Sequence, residues 1–278
     1  MESKVGRPKL SSFAICKISI ACLRHLPTHK SYQISQILFG EYVEIISRKN
    51  RDWIRVRCCW DGSIGWVDPK QLHVLKAKEV HLFEDCDTFS LEHLHGLSSA
   101  DKTIPISIGS NLYKCDGLNV KMPFGHFQYS GQIIQLSATK SSTPLLIAIA
   151  KRFLHCPYVY GGRSILGIDA PGLVQVIYKM MGYKLPRHSA EQAKLGVDIG
   201  FVTQCEVGDL AFFENENQLI THVGLILEDN TILHAYGQTR IDQLDQQGIY
   251  NKKQKRYTFK LRTIRRIFIE HETKSPLN

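Results

Sequence analysis

The sequence has no uninterrupted apolar run of about 18 residues, so no segment is long enough to cross a bilayer as a helix. It has no Cys-x-x-Cys pair either, and no nearby histidine pair at zinc-ligand spacing accompanies its eight cysteines, which argues against a structural metal. A chain of 278 residues builds its own core without a disulfide framework, so reduced, mostly buried thiols are expected. Acidic residues are the minority, 26 against 35 basic, leaving a formal charge of +9 that suits an anionic partner. No RRM, helix-turn-helix or zinc-finger pattern is present to make that partner nucleic acid. The densest basic stretch, Lys252 to Arg266, alternates with aromatic and aliphatic residues and reads as a terminal strand with a solvated basic face. With 43% apolar and 22% charged residues the chain is globular, and its length suggests about two domains.

Near the N-terminus, Lys4, Arg7 and Lys9 precede the apolar stretch Phe13 to Leu23, and Ala21-Cys22 hints at a lipoprotein cleavage site. Lys17 interrupts that stretch, and Ser19 stands where such a site wants an aliphatic side chain. Alternation fits a strand better, so a cytoplasmic protein with no membrane partner is expected.

Three blocks follow. Residues 13–75 read as short strands, Phe13 to Leu23, Gly40 to Ile46, Trp53 to Arg57 and Gly65 to Val67, with an Asp61-Gly62 turn; this describes an SH3-like barrel. Residues 76–140 have short apolar runs and turn signals at Asp116-Gly117 and Ser130-Gly131, suggesting a second small SH3-like β module. His93 and His95 lie there without further metal ligands and read as surface. Residues 143–268 begin with a helix over Leu145 to Leu154, opened by Ser142-Thr-Pro. A Gly161-Gly162 loop then leads to a second helix ending at Gly182, and alternating strands fill 207 to 268. Helices followed by strands make this block α+β.

Within it, the strand starting at His222 reverses at Glu228-Asp-Asn230 and returns with His234, so one hairpin brings two histidines close. Such a pair serves as a base and its orienting partner if a nucleophile is near; on these residues alone, a surface and a core histidine on adjacent strands is the other reading.

Six motifs occur in order: Pro157-Tyr-Val-Tyr-Gly-Gly-Arg-Ser164, Gly167-Ile-Asp-Ala-Pro-Gly-Leu-Val-Gln175, Leu185-Pro-Arg-His-Ser189, Gly208-Asp-Leu-Ala-Phe-Phe213, Thr221-His-Val-Gly224 and Ile232-Leu-His-Ala235. Together they resemble the NlpC-type cell-wall cysteine peptidases, a papain-like family. Upstream, Ser35 to Glu41 and Gly65-Trp66 resemble the first bacterial SH3 module of the subgroup that cleaves γ-D-glutamyl-diamino-acid bonds. The resemblance implies an α+β papain-like domain preceded by two SH3-like barrels, a peptidoglycan-derived peptide as partner, and no cofactor or metal. It implies a nucleophilic cysteine at the start of the second helix, where a helix N-terminus and an imidazolium favour thiolate, with His222 as base and His234 as its orienting partner.

The nucleophile position holds Ala170, and a methyl group cannot form an acyl intermediate. Cys156 lies on the far side of the Gly161-Gly162 loop and reads as core. By the resemblance Asp169 helps bind the peptide's ammonium group, while Tyr158 and Ser189 line the substrate site; Asp169 also reads as a helix cap and Tyr158 as packing. Tyr32 stands near the family's usual Glu and Ser63 near its usual Tyr, the two residues that hold the peptide's free amino end. Pro171 replaces the usual Ser, and His188 the Asp after Pro-Arg. Several departures on one expected pocket favour natural loss of activity over an engineered change at one residue. The chain is therefore expected to be inactive by the family's route. The alternatives are a non-catalytic peptide-binding or regulatory protein, and an anionic-polymer or nucleic-acid binder using the basic C-terminal surface.

Overall fold

Seven strands form the first module: β1 (Ser12–Cys16), β2 (Ile20–Arg24), β3 (Gln33–Leu38), β4 (Tyr42–Arg48), β5 (Ile54–Cys58), β6 (Ile64–Val67) and β7 (Leu72–Val74). The computed structural model describes residues 12–268, so Lys4, Arg7 and Lys9 lie outside the described residues. Phe13 to Leu23, read above as one strand, is two strands separated by a bend at Lys17 to Ser19. The bend is needed because each half has different neighbours: β1 pairs with β4 and β7, and β2 with β3 and β6. Period-two alternation is plain in β5, where Ile54, Val56 and Cys58 are buried and Arg55 and Arg57 exposed. These side chains join Ala14, Ala21, Leu23, Ile37 and Val43 in one core.

The second module contains β8 (Thr88–Ser90), β9 (Leu94–Ser98), β10 (Thr103–Ser107), β11 (Asn119–Met122), β12 (Gly125–Gln128) and β13 (Ile133–Gln135). They form a four-stranded sheet ordered β10-β9-β12-β11 and a ribbon of β13 with β8. Its core includes Ile15 and Phe39 of the first module, so the two share apolar packing. His93 and His95 take separate partners, the Arg152 carbonyl at 2.6 Å and the Ser130 hydroxyl at 3.0 Å.

The third module starts with α1 (Thr143–Lys151) and the ribbon β14 (Arg163–Ser164) with β15 (Gly167–Ile168), followed by α2 (Ala170–Met180) and α3 (Ser189–Gln192). Strands β16 (Val197–Ile199), β17 (Leu210–Glu214), β18 (Ile220–Leu227), β19 (Thr231–Tyr236), β20 (Gln238–Asp245), β21 (Gly248–Asn251) and β22 (Arg256–Arg266) complete it. β22 pairs with both β17 and β21, closing β17 to β22 into a six-stranded antiparallel barrel with β16 on its flank. Alternation assigns the two barrel faces. Leu210, Phe212, Val223, Leu225, Leu233 and Ala235 share a core with α2 residues Leu173, Val174, Val176 and Ile177. Ala211, Phe213, Ile226, Ile232, Leu244 and Ile249 form a separate cluster on the opposite face.

The basic C-terminal stretch is thus a strand inside the barrel wall. Lys260 pairs with Glu214 at 2.7 Å, Arg265 with Asp198 at 3.4 Å, and Arg266 with Glu206 at 2.5 Å and Asp209 at 2.9 Å.

Candidate functional site

Asp169 caps α2 from extended backbone, as an N-cap residue should. Its Oδ1 accepts the Gly172 N–H at 2.8 Å, while Oδ2 accepts the Gly161 N–H at 2.8 Å and the Arg187 guanidinium at 2.7 Å. Arg187 is 3% exposed, so the carboxylate is neutralised by a buried partner and holds three donors. Ala170 is the first helical residue, 2% exposed. The close packing of this corner explains its glycines: a Cβ on Gly172 would lie 2.2 Å from the Gly162 carbonyl oxygen, and one on Gly162 would lie 2.2 Å from that of Gly167.

The loop before α2 is stitched to the barrel. His155 N–H donates to the Thr239 carbonyl, Thr239 N–H to that of Cys156, and Tyr158 N–H to that of Gly237, at 2.8–3.0 Å. Val159 and Ile168 then pair, which sets the start of α2 beside the β19–β20 turn.

His234 lies on β19, which leads into that turn, and His222 lies near the start of the neighbouring β18. Register pairs Gly224 with His234, and His234 with Arg240. Residues two apart share a face, so His222, His234 and Asp242 form a diagonal across β18, β19 and β20. His222 Nε2 lies 2.9 Å from His234 Nδ1, and His234 Nε2 lies 3.0 Å from Asp242 Oδ2. Arg240 NH2 donates to Asp242 Oδ1 at 2.8 Å. His222 stacks on Phe259 of β22 with centroids 3.9 Å apart and planes 9° apart.

Burial holds both imidazoles below their ordinary pKa of 6.5, His222 well below, since it is buried and next to His234; the Asp242 carboxylate only partly offsets burial at His234. Burial would raise the Asp242 pKa, but the hydrogen bonds from His234 and Arg240 outweigh it and keep the carboxyl below its usual range. The donor pattern follows from that charge. An ionised Asp242 only accepts, so His234 carries its proton on Nε2 and leaves Nδ1 as acceptor. His222 then donates from Nε2 and keeps a lone pair on Nδ1, the arrangement of an oriented general base.

The remaining expected residues are dispersed. Tyr32 and Tyr158 are 54% and 42% exposed, and the Tyr32 ring centroid lies 6.4 Å from that of Tyr160, which the sequence did not single out, across the boundary between the first and third modules. Burial, then the nearby Asp169 charge, raises the Tyr158 phenol. Ser63 is half-buried in the turn after Trp60, its N–H on Asp61 Oδ1 at 2.9 Å. Ser189 is the first residue of α3 and 6% exposed.

Sequence reasoning missed Asp242, although the alternating segment Thr239-Arg-Ile-Asp242 carried a usable signal: a period-two acid on the strand after His234. It also missed Arg187 and a fully buried ion cluster. In that cluster, Glu41 of the first module meets Arg163 and Lys179 of the third, each at 2.7 Å. Lys179 also donates to the Gly109 carbonyl of the second module at 2.9 Å. Burial would raise the Glu41 pKa, but the two cations overcome it and lower it to about 2.

Comparison with known proteins agrees with this architecture. Residues 155–262 match the NlpC/P60 family, and residues 23–72 match the bacterial dipeptidyl-peptidase Sh3 domain. The chain is 30% identical over 215 residues to a gamma-D-glutamyl-L-lysine dipeptidyl-peptidase of Bacillus subtilis, covering 72% of this chain and 71% of that protein. It is 26% identical over 225 residues to the protein of the same name from Bacillus cereus, covering 72% of this chain and 66% of that one. The crystal structure of an NlpC/P60 family protein from Bacillus cereus superposes with a TM-score of 0.78 at 21% identity, over 92% of this chain and 99% of that one. With the SH3-like β region, the capped helix α2 and the histidine-bearing barrel all in place, the chain belongs to the NlpC/P60 family.

Proposed function

We propose that this chain recognises wall-derived peptides carrying the γ-D-glutamyl linkage named in its relatives, and that it does not hydrolyse them. The observation that carries the second half is the methyl side chain of Ala170 at the first position of α2. Without sulfur there, no thiolate exists at that helix start for His222 to activate. Seven of the eight thiols, Cys58 and Cys115 among them, are made harder to ionise by burial. Burial raises the pKa of Cys16 to about 12 and of Cys59, Cys86, Cys156 and Cys205 to about 11, so each is protonated at neutral pH.

What supports recognition is the state of the surrounding groups. The imidazole–imidazole–carboxylate chain is intact, Tyr158 exposes aromatic surface near Asp169, and Tyr32 and Tyr160 expose theirs where the first and third modules meet. Asp169 is already paired with Arg187, and Tyr32 cannot supply the carboxylate its position has in the family pattern. Recognition here therefore rests on aromatic contact and hydrogen bonds more than on pairing with a ligand ammonium. The departures at Tyr32, Ser63, Pro171 and His188, together with Ala170, favour natural divergence.

The test uses the tripeptide L-Ala-γ-D-Glu-L-Lys with the full chain and with Ala170→Cys. Calorimetry on the unmodified chain is expected to show binding, while mass spectrometry shows no release of L-Ala-γ-D-Glu. Cleavage by Ala170→Cys alone would make residue 170 the principal lesion. Absence of binding by the unmodified chain at millimolar peptide would overturn the proposal.

A further inference from the structure

Charge is unevenly spread over the first module. From Ser47 to Arg57, through the end of β4, the turn and β5, five basic residues stand against one acid, Asp52. Asp52 lies 3.4 Å from Lys70, and Arg57 pairs with Glu44 at 2.5 Å. Arg48, Lys49, Arg51 and Arg55 are exposed and have no ion-pair partner among the described residues. In β22, by contrast, Lys260, Arg265 and Arg266 each meet an acid. Like charges gathered on one surface raise its potential, and an anionic partner relieves it.

Strand register shows how these cations are displayed. Leu23, Val56 and Val67 point into the barrel core, so their chain neighbours Arg24, Arg55 and Trp66 face outward. Trp66 of β6 is directly opposite Arg24 of β2 on one side and Arg55 of β5 on the other. At about 4.8 Å between strands, the two arginine backbones are about 10 Å apart, with the half-buried indole between them. Arg24 is fixed by donating to the Ser31 carbonyl at 2.7 Å. It is also opposite Gln33 of β3, whose Nε2 donates to the Tyr160 carbonyl at 3.2 Å, so the row begins against the third module. At its other end Ser47 is opposite Arg55 and leads to Arg48, Lys49 and Arg51. Asn50 Oδ1 accepts the Asp52 and Trp53 N–H groups at 3.0 Å and shapes that turn.

The acids around this face are engaged or lie at its far end. Glu44 is held by Arg57, Asp61 accepts from Gln175 of α2 at 3.0 Å, and Asp68 accepts the Lys70 N–H at 2.9 Å. Glu84 and Asp85 of the second module act on Tyr42, whose phenol burial and then neighbouring negative groups push up to about 12. β4 thus runs from an acidic end at Tyr42 to a basic end at Arg48.

We propose that the basic end of this face binds an acidic peptide, a chain of γ-linked glutamates, as a contact separate from the histidine site. The choice of anion rests on the reading given above. A γ-glutamyl linkage leaves one α-carboxylate free, and its repetition makes a polyanion with two backbone methylenes per unit. Guanidinium forks match carboxylates. Trp66 and Ile64, the latter 39% exposed and two residues away on the same strand, suit the methylenes.

Fluorescence anisotropy of a labelled γ-linked D-glutamate decamer with the full chain tests it. Binding is expected at about 20 mM salt and to weaken at about 150 mM, as screening requires. Arg48→Gln, Lys49→Gln and Arg55→Gln combined are expected to weaken it at least about tenfold, since three exposed charges are lost. Lys252→Gln with Lys253→Gln, two exposed charges in the turn before β22, are expected to leave it unchanged. The proposal fails if the decamer does not bind, if the triple variant binds like the parent, or if the Lys252 and Lys253 changes weaken binding as much. It also fails if a thymidine decanucleotide binds as tightly, which would make the face a general polyanion or nucleic-acid surface. Calorimetry with L-Ala-γ-D-Glu-L-Lys separates the two readings. A parent that binds this tripeptide but not the decamer overturns the present proposal alone, and one that binds the decamer but not the tripeptide overturns the earlier one alone.

Discussion

Asp242 is the carboxylate that decides where two imidazoles carry their protons. In Asp242→Ala, His234 loses the acceptor of its Nε2–H, and both rings become free to exchange tautomers. Imidazole 15N spectra are expected to show single Nε2–H tautomers at His222 and His234 in the parent and a mixture in the variant, with stability lower by about 1–3 kcal/mol for the unpaired ring donor. Identical spectra in the two proteins would refute the tautomer assignment. The same histidines set a pH dependence. Both are harder to protonate when folded than at the ordinary value of 6.5, so the unfolded state takes up protons first. Their stabilisation is complete above pH 6.5 and declines as pH falls towards the folded values. The unfolding midpoint is therefore expected to begin falling below pH 6.5, before carboxylates protonate, and His234→Asn to flatten that arm. A midpoint constant from pH 6.5 to 5 would contradict it. The proximity of His222 and His234 was legible because the Glu228-Asp-Asn230 turn is local in sequence. Asp242 carried only the weaker signal of a period-two acid, because its register depends on the β19–β20 turn, which is marked by a single glycine.

At the scale of elements, α2 shows how little of a helix start is helix propensity. Ala170 and Pro171 open it, Asp169 caps it, and Gly172 lets the preceding loop approach to contact distance. The prediction is that Gly172→Ala, a favourable exchange in a free helix, destabilises this chain by more than about 1 kcal/mol in urea unfolding, since backbone atoms must move to admit the methyl group. A neutral or stabilising result would show that the corner is looser than its geometry. Helix boundaries were legible from Ser142, Pro144, Asp169 and Gly182, which are capping and breaking signals. The division of Phe13 to Leu23 into β1 and β2 was hidden because alternation continues on both sides of the bend, and only the exchange of partner strands reveals it.

At the scale of the whole molecule, the modules are joined by charge as well as by apolar packing. Glu41, Arg163 and Lys179 are 5%, 1% and 0% exposed and come from two modules, with Gly109 of the other accepting from Lys179. Glu41→Gln leaves two buried cations without a counter-charge and is expected to cost on the order of 3–5 kcal/mol, measured by denaturant midpoint. Because the folded Glu41 pKa is about 2 against 4.5 unfolded, its stabilisation is complete above pH 4.5 and is lost as pH falls towards 2; the variant should lack that acid limb. A Glu41→Gln chain with the parent's midpoint and acid limb would show that the cluster does not hold the modules together.

Neighbours along the chain were enough to specify β modules before an α+β module, the cap and end of α2, the hairpin with two histidines, and the alanine where a nucleophile is expected. All but the alanine rest on short-range physics, in which period, turn chemistry and capping act within a few residues; the meaning of Ala170 rests on the resemblance of its motif to the family's. It took the folded chain to show that Asp242 completes the histidine chain and that Arg187 already pairs with Asp169. It alone showed that the basic strand closes a barrel with several of its charges paired, and that Glu41 is buried against Arg163 and Lys179. Each of those outcomes depends on which distant groups are buried side by side. Desolvation and pairing between residues far apart in the chain leave no mark in local pattern.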